Sequence, residues 1–483
     1  MTFLGIDLGT SGLRALLVDE TGNPIGAAER AYDARRPFPG WSEQDPADWI
    51  AAVEGAVEEL RARFPSFAFL RGIGVSGQMH GAVLLDAAGQ VLRPCILWND
   101  TRSHVQAARL DAMTEVRALS GNIVFPGFTA PKLEWVRENE PDIHARIARV
   151  LLPAAYLNYY LTAEFVADMS DSAGTSWLDV GGRQWSDRLL KASHMRRDQM
   201  PELVEGCAEA GQVRSELLKK WGLRGPVSVA GGAGDNAAAA CGIGALREGQ
   251  GFVSLGTSGV LLVARDEYSP APETAVHTFC HAVPGRWYQM GVMLAATDSL
   301  NWLARITDRK PALLTGQMGH DLRKPGPVRF LPYLAGERTP HNDADIRGSF
   351  TGLGLATSVD DLTQAVLEGV AFGLRDSFEA LKARGASMES LMAIGGGTAS
   401  RYWVRLIATV LNLPLRLPAG GEFGAALGAA RLAIVAVTGT APENIMTTPD
   451  SQVTINPEES MTALFDEAYA NFRATYPALK FVQ

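Results

Sequence analysis

The segment Leu-Gly-Thr-Ser-Gly occurs twice, at Leu8–Gly12 and at Leu255–Gly259, 247 positions apart in a chain of 483 residues. Each copy lies between apolar runs, FLGIDLGTSGLRALLV from Phe3 to Val18 and GFVSLGTSGVLLVA from Gly251 to Ala264. In the first, Leu4, Ile6 and Leu8 alternate with Gly5, Asp7 and Gly9. That alternation predicts a strand with one buried face and another showing backbone and a single carboxylate, open to a close approach. Gly9-Thr10-Ser11-Gly12 then offers hydroxyls and unobstructed N–H groups, a common cradle for phosphate. A lone turn of this kind is most often an ordinary hairpin. Repeated in matching context half a chain apart, it predicts two related halves, each presenting a glycine turn to a shared cleft. The register sets Asp7 opposite Ser254, so a metal-holding role falls to the first half alone.

The chain is long enough for two or more domains with full cores, and 47% apolar with 20% charged residues is ordinary for a globular protein. A net charge of -9 with no basic cluster argues against nucleic acid as a partner. Met1-Thr2-Phe3 runs into the first strand without a basic leader, and the most apolar stretches, Val227–Leu246 and Phe423–Val437, carry Asp235 and Arg431. No membrane span is expected. Cys95, Cys207, Cys241 and Cys280 are widely spaced, which suits reduced thiols and a cytoplasmic location.

Asp45-Pro46 reads as a cap and first turn of a helix running to about Arg63. Leu70–Ser76 reads as a strand ending in Gly77-Gln78-Met79-His80-Gly81, where an α/β fold presents ligand contacts. By residue type alone His80 is either a ligand or a satisfied core histidine. Cys95–Arg102 ends in Asn99, Asp100 and Arg102, pocket lining or caps. Gly127–Asn139 contains a structural helix, and Ser170–Thr175 is a polar turn. Pro226–Ala230 leads into Gly231-Gly232-Ala233-Gly234, after which Asp235 stands at the start of an alanine-rich helix, a position that suits an N-cap and favours an ionised carboxylate. His277, Cys280 and His281 lack metal-site spacing. Ser358–Gly385 is a long helix with a core stripe. Leu391–Thr398 runs into a third glycine turn, where Gly396 and Gly397 suit a flat adenine ring, and Gly420–Ala433 reads as a small-residue helix against a sheet.

Two glycine hairpins, a third glycine turn and the isolated Asp7 and Asp235 make a kit for phosphoryl transfer from a nucleotide. No Gly-Lys dipeptide is present, which excludes a P-loop. The arrangement resembles the actin, heat-shock chaperone and sugar kinase superfamily, and within it the FGGY carbohydrate kinases. Gly127–Asn139 and Gly348–Glu368 are similar to that family's two signatures. GIDLGTSG at Gly5, WSEQDP at Trp41, GQMHG at Gly77, ILWND at Ile96, SDSAGTSWLDV at Ser170, GDNAA at Gly234, LGTSGV at Leu255 and GERTPH at Gly336 extend the likeness, in order, along nearly the whole chain. They resemble the branch of the family that phosphorylates D-xylulose.

The resemblance implies an α/β fold of two ribonuclease-H-like domains of the actin-like ATPase type, with a nucleotide and substrate cleft between them. Domain one, residues 1–245, would carry the sugar site, the first phosphate hairpin and the base. Domain two, residues 246–483, would carry the second hairpin and the adenosine site. ATP phosphates are expected on Gly9, Thr10, Ser11 and on Gly256, Thr257, Ser258, with adenine near Gly396 and Gly397. Magnesium is expected at Asp7, directly or through water, and the sugar against Gln78, Met79, His80, Asp235 and Asn236. Asp235 is the expected catalytic base, and Asp7 is also implied to be required for activity. Two departures from the family stand out: Ala233 interrupts the glycine run, tolerable unless its φ is positive, and Ala154-Ala155 replaces a charged pair near a domain edge. Met79-His80 in place of an Arg-Glu pair counts against glycerol. Another ketose or polyol such as ribulose, or an actin-like ATP-gated binding protein, are the alternative readings; homodimerisation is an expectation carried by the resemblance alone.

Overall fold

The computed structural model describes residues 1–419, 424–449 and 451–480. Each half builds a seven-stranded sheet around its copy of the repeated hairpin. In the first, β1 (Thr2–Leu8), β2 (Gly12–Asp19) and β3 (Pro24–Ala31) form an antiparallel meander. Beside β1 lies the parallel β4 (Leu70–Gly77); β5 (Glu209–Gln212) and β6 (Ser228–Ala230) extend the sheet, and β7 (Ala233–Gly234) pairs with the end of β4. The order is β5-β6-β4-β1-β2-β3. The second sheet uses β8 (Gly251–Leu255), β9 (Gly259–Arg265), β10 (His277–Cys280), β11 (Trp287–Met293), β12 (Leu391–Ile394), β13 (Leu415–Pro418) and β14 (Ser451–Ile455). Its order is β10-β11-β9-β8-β12-β13-β14. An antiparallel meander followed by parallel strands is therefore built twice, β3-β2-β1-β4-β6 and β11-β9-β8-β12-β13, as the repeated segment predicts.

Helix α1 (Pro46–Arg63) begins where expected: the Asp45 carboxylate accepts from the Ala47 N–H at 3.0 Å, meeting one of the free donors of the first turn. Four further helices carry the argument: α2 (Thr129–Asn139), α3 (Asp235–Ile243), α4 (Val359–Lys382) and α5 (Arg401–Leu411). Ser358 caps α4, and Gly385 just beyond it takes a φ of +81° that glycine alone adopts freely. Among the described residues no helix is long and apolar enough to cross a membrane.

The glycine face of β1 is not wholly free. Leu4, Ile6 and Leu8 are buried as their alternation predicts, but helix α6 (Gly424–Thr438) lies across the opposite face. A methyl group at Gly5 would overlap the carbonyl oxygen of Ala426, and one at Gly74 that of Ala429. What comes close at Gly5 is helix backbone, not ligand; the open part of the strand is its end, at Asp7 and Gly9. Helix α6 also crosses α3, where a methyl at Gly428 would overlap the Ala238 carbonyl. Arg431 seals the crossing, its Nη1 donating to the Cys241, Gly242 and Thr447 carbonyls at 3.2, 2.9 and 2.9 Å. A helix from the last fifth of the chain thus packs on the first half's sheet. Of the expected small-residue helix, residues 420–423 lie outside the described residues. Ala154 and Ala155 are both buried, Ala154 against Gly77. The positive φ of the glycine run falls on Gly232, at +88°, and Ala233 is free to join β7.

Candidate active site

Parallel pairing brings the chemistry together. Asp7 is opposite Ser76 in the β1–β4 register, and β7 aligns Ala233 with Ser76 and Gly234 with Gly77. Asp7, Gln78 and Asp235 therefore emerge at the carboxyl ends of neighbouring parallel strands, where open α/β sheets bind ligands. The Ser76 hydroxyl donates to Asp7 Oδ1 at 2.9 Å. Burial pushes Asp7 up to about 6 against the pull of Ser76 and Arg14. Asp235 is likewise pushed up to about 6, by burial and then by the Asp7 carboxylate, against two donations from Asn236 to its Oδ1, backbone N at 2.7 Å and Nδ2 at 2.8 Å. This corrects two expectations. Gly234, not Asp235, is the N-cap, and the helix terminus does not hold the carboxyl low, because desolvation and a like charge outweigh it.

The segment around Ser170 supports this base from below. Ser170 Oγ donates to Asp168 Oδ1 at 2.5 Å and accepts from the Gly234 N–H at 3.1 Å, fixing the backbone just before Asp235. Asp171 beside it is buried with neither carboxylate oxygen partnered. Burial, and then the Asp168 and Asp235 charges, raise its pKa well above the ordinary aspartate value.

His80 takes a φ of +70°. Its Nδ1 lies 2.7 Å from the Gly174 carbonyl, which can only accept, so Nδ1 carries the proton and Nε2 is an acceptor. Its ring stacks on Phe128 at 4.5 Å. Burial, with Lys132 nearby, drops its pKa to about 3, and it is neutral at pH 7. Residues of the second half complete this wall: His277 and Phe279 of β10 lie among the same rings, and the Arg338 guanidinium lies 4.6 Å from the Phe125 ring. Met79 is buried, 3.8 Å from the Tyr288 hydroxyl. Gln78 is buried with both amide ends engaged: Oε1 accepts from Thr10 Oγ1 at 3.2 Å, and Nε2 donates to Gln44 Oε1 at 2.8 Å. The ring closes through Gln44 Nε2 and the Thr10 carbonyl at 2.6 Å. Gln78 thus links the first hairpin to the segment of Gln44. Thr10, whose hydroxyl also accepts from Trp98 Nε1 at 2.9 Å, has spent it inside the protein. Ser11 keeps its side chain exposed.

On the second half, a cavity of about 810 Å³ is lined by Gly256, Thr257, Thr297, Gly396, Gly397 and Arg401, among others. The second and third glycine turns thus share one cavity, which Gly9, Thr10, Ser11 and Ser258 do not line. The Gly256 carbonyl accepts from Thr297 N and Oγ1 at 3.0 and 2.8 Å, pinning the hairpin to the next helix. Sequence reasoning missed Thr297, Asn301 and Arg401 on its wall, for they carry no local motif. It also missed Arg338 and His277, and read the helix of Lys132 as structural. His277, Cys280 and His281 diverge: His277 stacks on Phe279, Cys280 Sγ meets the Val180 carbonyl and His281 Nε2 the Ala245 carbonyl. Asp100 is a latch rather than pocket lining, holding Arg102 and the Ser42 N–H.

Residues 2–242 match the N-terminal domain of the FGGY family of carbohydrate kinases, and residues 251–437 its C-terminal domain. The chain belongs to the FGGY family of carbohydrate kinases. Among its relatives, a xylulose kinase of Escherichia coli K12 is 44% identical over 468 residues, 96% of this chain and 92% of that one. A xylulose kinase of Klebsiella pneumoniae is 47% identical over 90% of each chain. The crystal structure of "a xyloylose kinase" from Brucella ovis superposes with a TM-score of 0.99 at 57% identity, covering all of both chains. This FGGY chain is a phosphotransferase that takes an alcohol group as acceptor and ATP as donor, on a two-domain actin-like ATPase fold.

Proposed function

We propose that the protein phosphorylates D-xylulose to D-xylulose 5-phosphate. The observation that carries the chemistry is the placement of Asp7 and Asp235 at the ends of β1 and β7, the two strands that flank the end of β4. The xylulose kinases it resembles support the sugar. ATP binds with its phosphates on the two hairpins and adenine against Gly396 and Gly397. The sugar lies against Met79, His80, Asp235 and Asn236, with the neutral His80 offering Nε2 to a hydroxyl. Gln78 holds this wall to the hairpin.

The 5-hydroxyl oxygen attacks the γ-phosphorus in line, the bond to the ADP oxygen breaks, and Asp235 takes the hydroxyl proton. Phosphoryl transfer is loose, so the base mainly orients the hydroxyl and receives its proton late. A pKa of about 6 leaves Asp235 ionised at pH 7 and ready for this role. Asp7 suits magnesium: it offers a hard oxygen donor, with Oδ1 oriented by Ser76 and a burial that favours a counter-cation. Asp7 would hold the ion, directly or through water, and the ion would supply positive charge to the terminal phosphates. Closure of the halves excludes water, which competes with the sugar hydroxyl.

The test is ADP release from magnesium-ATP with D-xylulose, L-ribulose and glycerol in parallel. Strong stimulation by D-xylulose alone is expected. Stimulation by another sugar instead would overturn the substrate, and slow hydrolysis indifferent to every sugar would favour an ATP-gated binding protein.

A further inference from the structure

Lys132 is fully buried and makes no ion pair among the described residues. Its ammonium donates to the main-chain carbonyl of His80 at 2.7 Å, and Thr129 Oγ1 donates to the same oxygen at 3.2 Å. A histidine at a φ of +70° stays there only where its surroundings hold it. Here they do so from three sides: Lys132 and Thr129 on the carbonyl, Gly174 on Nδ1, and Phe128 on the ring face. Three of these four belong to one stretch, Phe128 to Lys132. A side chain at Gly174 would overlap the His80 ring, so the fit is tight there as well.

We propose that Lys132 is the positioning residue of the acceptor site: its ammonium fixes the His80 backbone so that Nε2 is presented to the sugar. A lysine is costly in such a place, and an apolar residue would fill the volume without that cost. The charge is retained where it makes its one strong bond, to the residue that needs restraint. The groups facing it are Cys95, Asp100, Arg102 and His80. Cys95 and Asp100 favour the charged form and Arg102 opposes it, but Asp100 is bonded to Arg102 and Ser42 rather than to the ammonium. Burial lowers Lys132 itself to about 7. It is charged below that pH and loses its charge above it, which weakens its hydrogen bond.

The proposal rests on the reading of His80 as a sugar ligand, and the experiment separates the two. In Lys132→Met the apolar stem is kept and the donor lost. The KM for D-xylulose is expected to rise roughly tenfold or more, the scale of one charge-assisted hydrogen bond. Turnover at saturating sugar and the KM for ATP should stay within about threefold of wild type. Thr129→Val, which removes the longer bond, should raise the sugar KM about two- to fivefold and serves if the lysine variant does not fold. In the wild type the sugar KM should climb as pH rises through about 7, and Lys132→Met should flatten that climb, which a merely structural loss would not do. His80→Asn reports on the acceptor reading. A raised sugar KM in His80→Asn with wild-type values in both other variants overturns the positioning role alone. A wild-type KM in His80→Asn overturns the acceptor reading and this inference with it.

Discussion

The base role proposed for Asp235 predicts a turnover sensitive to mild acid, and the size of the effect follows from its surroundings. Its carboxyl is raised from 3.8 to about 6 by burial and by the Asp7 charge, while two Asn236 donors favour the ionised form. A base works as the carboxylate, so activity is present above the shifted pKa and lost as pH falls through it. With a pKa of about 6 only about a tenth of the molecules carry the ionised base at pH 5, whereas an ordinary Asp would be almost fully ionised there. The expected profile of kcat/KM for D-xylulose is flat above about pH 7 and falls at least about tenfold by pH 5, the share of Asp235 alone, with Asp7 titrating in the same range. Asn236→Ala removes the Nδ2 donor at 2.8 Å and should move this limb upward by about one unit, the worth of a hydrogen bond to a charged group. Asp235→Asn should cut kcat by about 10²- to 10⁴-fold with little change in the KM for ATP, and the acid limb that remains is then that of Asp7, whose carboxyl burial also raises to about 6. ADP release measured from pH 5 to 8 with coupling enzymes in excess reads all three. A flat profile to pH 5, or a limb that moves downward in Asn236→Ala, would refute the reasoning.

Gln78→Leu opens the Thr10–Gln78–Gln44 ring that ties the first hairpin to the acceptor segment. It should raise the KM for ATP and for sugar together, several-fold each, and a change confined to one substrate would argue against the link. Gly5→Ala drives a methyl into the Ala426 carbonyl and should destabilise the fold by about 1–3 kcal/mol in urea unfolding. Gly225→Ala, which meets nothing within 4 Å, should be nearly neutral; equal losses in the two would count against close helix packing as the cause. Arg338→Met removes the second half's cation from the acceptor wall and should raise the sugar KM while sparing sugar-independent ATP hydrolysis, which a coupled assay without sugar measures.

The paired hairpins of the two halves were legible because they are written in local patterns. An alternating apolar run, a glycine turn and a second run specify a hairpin wherever they occur, and a repeat half a chain apart specifies two. Helices α1 and α4 were legible for the same reason, α1 through the cap at Asp45 and α4 through its apolar stripe and the Gly385 past its end. Candidate site residues were readable where a side chain stands near a strand end, as Asp7, His80 and Asp235 do, and where a glycine turn follows a strand, as at Gly256 and Gly396. The sequence could not reveal that Gln78 and Thr10 satisfy one another, since they are 68 positions apart.

By itself the sequence determined the doubled architecture, the single carboxylate of the first hairpin and the acid that opens α3, for each depends on residues within a few positions of one another. Only the tertiary structure decided what those residues experience. Helix α6 fills the glycine face at Gly5, the Asp7 charge and shared burial lift Asp235, and Lys132 ends buried under the His80 carbonyl. Desolvation, charge coupling and close packing are properties of groups brought together from distant parts of the chain, and a linear pattern carries none of them.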